Sequence, residues 1–421
     1  MLRDYCRESS KDSEYFVGIK YIDGTPSVLF PHGFNISNDE KELRRDIFRL
    51  LAVLSDYSKH RDGEQTTNSN NHDNTIPPIT DYIYLMQDFL SKGYYTEKEL
   101  RFVSSSKGKI NWKRTIQKEQ PYIDNNNVIY LKYQIQTNLI NQNNLLSRIH
   151  KYCVYKCFSK FGWLFMTHNF IPNKPDIKED KKLFLKTLEA AINTTFNDEK
   201  KRLFTCMISV IEDEIQNSDK GNDSIGVNKF APVWERMIDF VFGEDNKKDY
   251  FPNATWYIIP TGEEKNSSKL EPDTIMKYNG NLFVLDAKYY QYGITNNPDD
   301  LPPTSSIHKQ LTYGDYVRSL ITQNGKHQNE VKDPSKNIYN AFIMPFNCND
   351  EEIIKIVSVA KSNWIKYDEQ TPNYHYILGV LIDTKHLMSC YTKHNLSEIE
   401  KLSDIIENAL DLVKNKYTPT L

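Results

Sequence analysis

Apolar positions change their spacing along this chain, and the changes divide it. Residues 15 to 34 alternate apolar and polar in the manner of short strands around a Gly24 turn, whereas residues 39 to 57 (DEKELRRDIFRLLAVLSDY) carry apolar positions at helical spacing. The stretch 61 to 78 is polar, rich in asparagine and ends in two prolines, so a linker is expected near 58–78. Residues 80 to 116 read as helix, helix and hairpin, a winged-helix-like unit, and the pattern from about 139 to 217 is helical, broken at Asn173-Lys174-Pro175 and Asn197.

The polar run NSDKGNDSIGVN at 217 to 228 is the best domain boundary. After it the expected order is helix (229–242), hairpin (about 271–290), helix (306–323), strand (338–346), helix (350–365), strand (374–383) and helix (396–416). Such alternation predicts a mixed β-sheet flanked by helices. The chain therefore reads as an N-terminal mixed α+β region over 1–220 and an α/β domain over 221–421.

One hairpin in that second region carries chemistry. Residues 273 to 278 (DTIMKY) and 281 to 290 (NLFVLDAKYY) flank Asn279-Gly280, the strongest short-range signal for a two-residue type I′ turn, because both turn positions need positive φ. If Tyr278 and Asn281 flank the turn, Asp273 stands opposite Asp286, and Glu271 stands opposite Lys288. All four then share a face, with opposed Cβ atoms about 4.5 to 5.5 Å apart. Two carboxylates that close repel each other unless a cation lies between them, and hard oxygen donors with retained water suit Mg²⁺. A metal so placed acidifies a water and stabilises charge on a phosphodiester, while Lys288 orients that water or neutralises the same charge. A bare Asp-x-Lys triplet is common on exposed strands. The Pro272-Asp273 dipeptide, the register-setting turn and the apolar run Leu282 to Leu285 give this one its weight.

These residues match a known pattern. Pro272-Asp273 with Asp286-Ala287-Lys288 resembles the PD-(D/E)xK nuclease motif, with aspartate as the second acid. Val233-Trp234-Glu235-Arg236-Met237 resembles the leading helix of that fold, which implies an accessory catalytic and metal-binding role for Glu235. Ile307-His308-Lys309-Gln310-Leu311-Thr312-Tyr313 resembles the Lys-Gln-x-x-Tyr helix that follows the motif. The resemblance implies that Gln310 and Tyr313 touch DNA phosphate or brace Lys288, against an ordinary amphipathic helix on the residues alone. More narrowly, with Tyr15-Phe16-Val17-Gly18-Ile19-Lys20, Phe30-Pro31-His32-Gly33-Phe34 and Gly108-Lys109-Ile110-Asn111-Trp112 in order, most of the chain resembles the LlaJI family of restriction endonucleases, related to the McrC nuclease subunit. That implies a restriction-endonuclease-like core in the C-terminal part.

Charge changes the picture next. The net charge is only −3, so DNA contact must come from a local patch. The best candidate is KGKINWKRTIQK, where Lys107, Lys109, Lys113, Arg114 and Lys118 occur with Trp112 and no acid. A wing-like hairpin or strand that displays these charges on a DNA backbone and a solvated edge strand guarded by lysines are equally good readings. His150, Cys153 and Cys157 could share a helical face, but the aromatic surroundings and the lack of a fourth ligand favour core packing over zinc. Six cysteines without a CxxC pair, no apolar run near the roughly 18 residues of a membrane span, and an N-terminus without an h-region lead to the expectation of a cytoplasmic protein.

The function expected is a Mg²⁺-dependent type II restriction endonuclease that hydrolyses phosphodiester bonds of double-stranded DNA at a specific sequence, with residues 1–220 reading bases. One nuclease core cuts one strand per visit, so double-strand cleavage calls for a homodimer. The alternative is a McrC-like nuclease or DNA-binding subunit that works only with a separate GTPase motor. No G-x-x-x-x-G-K-[ST] phosphate loop occurs in this sequence, so a motor would be another polypeptide. A companion DNA methyltransferase is expected in the same system, and no membrane partner.

Overall fold

The computed structural model describes residues 2–9, 16–22, 25–64, 78–124, 127–141, 144–165, 170–217, 224–323, 327, 331–348 and 352–417. In chain order, a short opening segment holds β1 (Cys6–Glu8), β2 (Val17–Ile22), β3 (Thr25–Phe30) and the long helix α1 (Glu40–Glu64). There follow α2 (Ile79–Lys92), β4 (Glu97–Ser105), β5 (Lys109–Ile110), α3 (Trp112–Lys118), β6 (Tyr122–Asp124), β7 (Asn127–Ile129), β8 (Tyr133–Asn141), α4 (Leu145–Phe165), α5 (Lys181–Thr194) and α6 (Asp198–Asn217). The last part comprises β9 (Ser224–Val227), α7 (Ala231–Phe242), β10 (Thr255–Ile258), β11 (Glu263–Asn266), β12 (Thr274–Tyr278), β13 (Asn281–Ala287), α8 (Tyr292–Thr295), α9 (Thr304–Gln323), β14 (Ile338–Phe346), β15 (Ile354–Ala360), β16 (Ile377–Asp383), α10 (Thr384–Ser389) and α11 (Leu396–Tyr417). The architecture is mixed α/β, with several sheets.

Two compact units emerge, residues 1–76 with 222–421, and residues 77–221. The expected cut near 220 falls where a unit does end, but the first 76 residues group with the C-terminal part instead of with 77–220. Backbone pairing is the reason: β2 runs antiparallel to β9, with Val17 opposite Val227 and Ile19 opposite Ile225, which completes the sheet β1-β3-β2-β9. Of the stretch expected as a linker near 58–78, residues 58–64 belong to α1 instead. Residues 65–77, like the tip of the 217–228 run and Tyr15, lie outside the described residues.

The larger unit is organised by a five-stranded mixed sheet in the order β12-β13-β14-β16-β15, parallel across its three central strands and antiparallel at both edges. Every residue of β13, β14 and β16 is buried, as expected where helices cover both faces of parallel strands. On one side Ile275, Val284 and Ile338 pack with Tyr313 and Val317 of α9 and with Tyr374. Each such side chain contributes about 1.5–3 kcal/mol of burial. The helix expected at 350–365 is strand β15 instead; Ile354, Ile356, Val357 and Val359 are β-branched, and a bulge at Ile356/Ser358 shifts their register along the sheet edge.

The smaller unit combines helices α2, α4, α5 and α6 with the sheet β4-β8-β5 and the hairpin β6-β7. The second helix expected within 80–116 is strand β4, so the winged-helix reading is not met, and the helical stretch expected from 139 begins only at Leu145 because β8 runs to Asn141. His150, Cys153 and Cys157 are fully buried, and the cysteines are free thiols. Tyr95 N–H donates to His150 Nδ1 at 3.2 Å. This is core packing, as expected.

Candidate active site

The hairpin forms in the register its turn dictates. Asn279 and Gly280 have φ of 50° and 80°, Tyr278 pairs with Asn281 and Thr274 with Leu285, which places Asp273, one residue before β12, opposite Asp286. The Ala287 N–H donates to Asp273 Oδ2 at 2.8 Å, so the first acid is held onto the strand that carries the second. Lys288 contacts the Asp286 carboxylate, two residues back on the same face. Its own N–H donates to Ile343 O at 2.8 Å, continuing the pairing of β13 with β14 and fixing the backbone beneath the ammonium. Glu271 is exposed, and the ion pair of Lys288 goes to Asp286 rather than across the hairpin to it.

Helix α7 supplies Glu235. Trp234, fully buried, donates its indole N–H to Ile343 O at 3.1 Å and pins the helix against β14. Glu235 then lines a cleft of about 360 Å³ with Arg236, Asp239, Lys247, Lys248 and Asp273. The Lys247 ammonium donates to the Asp273 carbonyl at 2.7 Å and pairs with Asp239 at 2.9 Å.

Electrostatics tie these groups together. Burial, then the neighbouring Asp286 and Glu235 carboxylates, push Asp273 up to about 7 against the opposing pull of Lys288 and the Ala287 N–H. Glu235 remains open to solvent on one side, yet burial and Asp286 raise its carboxyl too, while Lys288, Lys309 and Lys247 oppose the rise. Burial would lower the Lys288 ammonium, but the Asp286 carboxylate outweighs it and the net shift is upward. Asp286 is 3% exposed, and its Oδ1 is a buried oxygen without a hydrogen-bond partner.

A divalent cation fits this set. The orphaned Asp286 oxygen and the mutual repulsion of the acids both call for positive charge, and all the donors are hard oxygens. Glu235 and the two aspartates do not gather as a trio within 4.8 Å of one another. A cation that keeps its waters needs only one or two carboxylates, so the two aspartates suffice and Glu235 stands further out.

The other expected residues separate into two kinds. Gln310 is 1% exposed; its amide donates to Val284 O at 2.7 Å, and Asn340 Nδ2 donates to the Gln310 carbonyl at 3.1 Å. Tyr313 is buried, and its hydroxyl donates to Glu271 O at 2.9 Å. In this structure both brace the hairpin and do not face outward. By contrast, Lys107, Lys109, Trp112, Lys113, Arg114 and Lys118 are all exposed in the smaller unit. They lie on a turn, on β5 and on α3 instead of the expected wing or strand, because Asn111 caps a helix by accepting from Arg114 N–H at 3.1 Å and Gln134 N–H donates to Thr115 Oγ1 at 2.9 Å. Arg114 lies 3.9 Å over the Phe102 ring. Two further lysines lie near the acids, Lys309 of the Lys-Gln-x-x-Tyr pattern, to which the sequence assigned no role, and Lys247. Lys309 stacks its ammonium 5.4 Å from the Tyr313 ring, one helical turn away, a spacing that was there to be read. Lys247 sits on a short 3₁₀ turn, for which the sequence carries no signal.

Two acids and a lysine on one hairpin, beside a carboxylate-bearing helix, can hold a divalent cation. The model of the LlaJI restriction endonuclease family matches residues 16–380, and the chain belongs to that family. Membership implies nuclease activity within a restriction-modification system. The chain is also 27% identical over 380 residues to the type II restriction enzyme BsuMI component YdjA of Bacillus subtilis (strain 168), covering 81% of this chain and 80% of that protein. Among solved structures, a chain of the refined half-complex from the tetradecameric assembly of Thermococcus gammatolerans McrB AAA+ hexamers with bound McrC matches 92% of this chain and 83% of its own length, at 14% identity and a TM-score of 0.37, too low to carry an argument. No described helix is long and apolar enough to cross a membrane.

Proposed function

We propose that this chain is the Mg²⁺-dependent nuclease of a type II restriction enzyme and hydrolyses phosphodiester bonds of double-stranded DNA at a specific sequence, with the sheet β12-β13-β14-β16-β15 as a PD-(D/E)xK core. The observation that carries the reading is the pair Asp273 and Asp286, held together by the Ala287 N–H and left with a buried, unpartnered Asp286 oxygen beside Lys288.

When bound, the cation would be held by Asp273 and Asp286 and would supply Lewis acidity toward the scissile phosphate. The protein's own groups do the remainder. Lys288, held protonated by Asp286, sits where it can donate to a phosphate oxygen or to the attacking water and so offset charge that develops in the transition state. Glu235, with its raised carboxyl at the cleft edge, is the accessory acid-base or outer metal contact. Gln310 and Tyr313 hold the hairpin's backbone at Val284 and Glu271. The exposed residues Lys107, Lys109, Trp112, Lys113, Arg114 and Lys118 are proposed to meet the DNA backbone, and residues 77–221 to contribute to sequence reading.

A second reading has its own support. YdjA is described as a component of its enzyme, which favours a nuclease that acts with a partner subunit. Under it, a separate GTPase motor, a second copy of the chain or both complete the machine, and a companion methyltransferase protects the host DNA.

The test is cleavage of unmethylated plasmid by the purified chain in Mg²⁺, beside Asp286→Ala and Lys288→Ala proteins verified to be folded. Discrete fragments from the parent alone are expected. Equal cutting by parent and variants would overturn the site, and no cutting by the parent until the neighbouring gene products are added would move the conclusion to the partner-dependent form.

A further inference from the structure

Outside the acidic cleft, the larger unit gathers a different set of side chains. His386 lies on α10 and Cys390 directly follows that helix, four residues later, so both point to one side of the turn, where the Cys390 N–H still donates to the His386 carbonyl at 3.0 Å. Glu398, in the first turn of α11 and 4% exposed, faces them. One ligand atom from each lies within 4.8 Å of the other two, and among the described residues no other trio of His, Cys, Asp and Glu does so.

We propose that His386, Cys390 and Glu398 form an open, three-ligand site for one transition-metal ion of the zinc class, separate from the nuclease cation and, unlike the His150, Cys153 and Cys157 group, drawn together across two helices with a carboxylate among the donors. The donor set is imidazole nitrogen, thiolate sulfur and carboxylate oxygen, a mixture that suits zinc and excludes magnesium by preference. Bonds of about 2.0 to 2.3 Å place tetrahedral ligand atoms roughly 3.3 to 3.8 Å apart. The His386 Nε2 to Glu398 Oε2 separation of 2.8 Å and the 4.8 Å limit of the group bracket that range, so rotamer-scale adjustment suffices. On binding, bonds from the metal to Sγ, Nε2 and Oε2 replace the S–H bond and the His386–Glu398 hydrogen bond; the thiol proton leaves to solvent, the proton shared by Nε2 and Oε2 leaves to solvent or moves to Nδ1, and water takes the fourth position.

The outer partners suit the role. Lys401 donates to the other Glu398 oxygen, Oε1, at 2.8 Å, which leaves Oε2 for the metal and orients the carboxylate. The Cys390 thiol donates to Leu387 O at 3.5 Å, so the ion pair between His386 and Glu398 does not account for its presence at the same point. The site would staple the α10–α11 connection. That connection docks on the end of α7, where the His394 and Asn395 N–H groups donate to Phe240 and Val241 carbonyls at 2.9 and 2.8 Å. The helix that presents Glu235 is thus braced from its far end.

The experiment is Co²⁺ titration of the full chain after chelation, read by the thiolate-to-cobalt absorption in the near ultraviolet, with Zn²⁺ as competitor and melting temperature as the second readout. No cysteine is among the described residues that line the nuclease cleft, so this absorption cannot report on it. We expect one equivalent of Co²⁺ to bind, Zn²⁺ to displace it, and Zn²⁺ to raise the melting temperature by several degrees; both signals should vanish in Cys390→Ser and weaken strongly in Glu398→Gln. A chain that shows no thiolate band at stoichiometric Co²⁺, or a band and a Zn²⁺ shift that persist in Cys390→Ser, overturns the proposal. Neither result depends on DNA cleavage.

Discussion

The hairpin around Asp286 and the basic stretch around Trp112 are both dense in charge, but they stand on opposite sides of a physical divide. In the hairpin, charged groups are largely buried at fixed register and perturb one another and the neighbouring Glu235 of α7: Asp273 is pushed up to about 7, and Lys288 and Glu235 are raised as well. In the basic stretch Lys107, Lys109, Lys113 and Lys118 are exposed on a turn, on a two-residue strand and on a seven-residue helix. Burial of like charges costs stability and persists where chemistry needs it; exposed charge costs almost nothing and carries little information by itself.

The sharpest way to break the comparison is Asp286→Asn. We expect cleavage to fall by about 10³-fold or more, because several kcal/mol of transition-state charge stabilisation pass through the metal site. The same variant should melt no lower than the parent in the absence of metal, since it removes a buried charge with an orphaned oxygen. Plasmid nicking assays and a thermal melt in chelator read the two effects. A variant that loses activity and also melts far below the parent would make Asp286 a structural residue. Lys288→Ala should cost about 10²- to 10³-fold in rate at saturating DNA, with Lys288→Arg recovering only part, because a point charge and a planar fork differ.

Burial for packing gives a different signature in the smaller unit. The His150 imidazole is lowered to about 4, mainly by burial, and it accepts the Tyr95 N–H, so it is held neutral. A folded value below the ordinary 6.5 means that the unfolded chain takes up the proton first as the pH falls. His150 therefore contributes stability that is fully present above about pH 6.5 and is lost progressively toward pH 4, a change of about 3 kcal/mol by linkage. Urea unfolding of residues 77–221 within the full chain, followed between pH 7 and 4, should show this slope. A His150→Gln protein should lack it. A slope that survives the substitution would assign the acid sensitivity elsewhere.

The same divide explains how much could be read in advance. The hairpin was legible because Asn279-Gly280 fixes the register and the run Leu282 to Leu285 fixes the buried face, two local constraints that tertiary structure did not override. The roles of Gln310 and Tyr313 were harder to see: nothing in an amphipathic helix tells which polar side chain turns inward to a backbone carbonyl. Strand β15 carries no clear strand signal because a short β-branched segment at a sheet edge has the same apolar content as a helix turn, and its bulge breaks the alternation that would betray it. The grouping of residues 1–76 with 222–421 was invisible because β2 and β9 pair across about two hundred positions of sequence, where no local rule applies.

The smallest effects belong to the exposed lysines, and they decide whether the basic stretch is an interface or a solvated surface. If Lys107, Lys109, Lys113 and Lys118 each meet a phosphate, every Lys→Ala change should reduce the slope of log affinity against log salt by about 0.9 and weaken binding equally on cognate and unrelated duplexes. Trp112→Ala, beside Tyr133 at 5.7 Å between ring centroids, should then cost affinity through lost stacking or packing without changing that slope. The separation matters because a folding defect would lower affinity in all five variants without moving the salt slope in any. Unchanged slopes in all four lysine variants, with binding intact, would return this stretch to the ordinary surface that its exposure alone describes and leave the DNA contacts to Lys247, Lys248 and Lys309 around the acidic cleft.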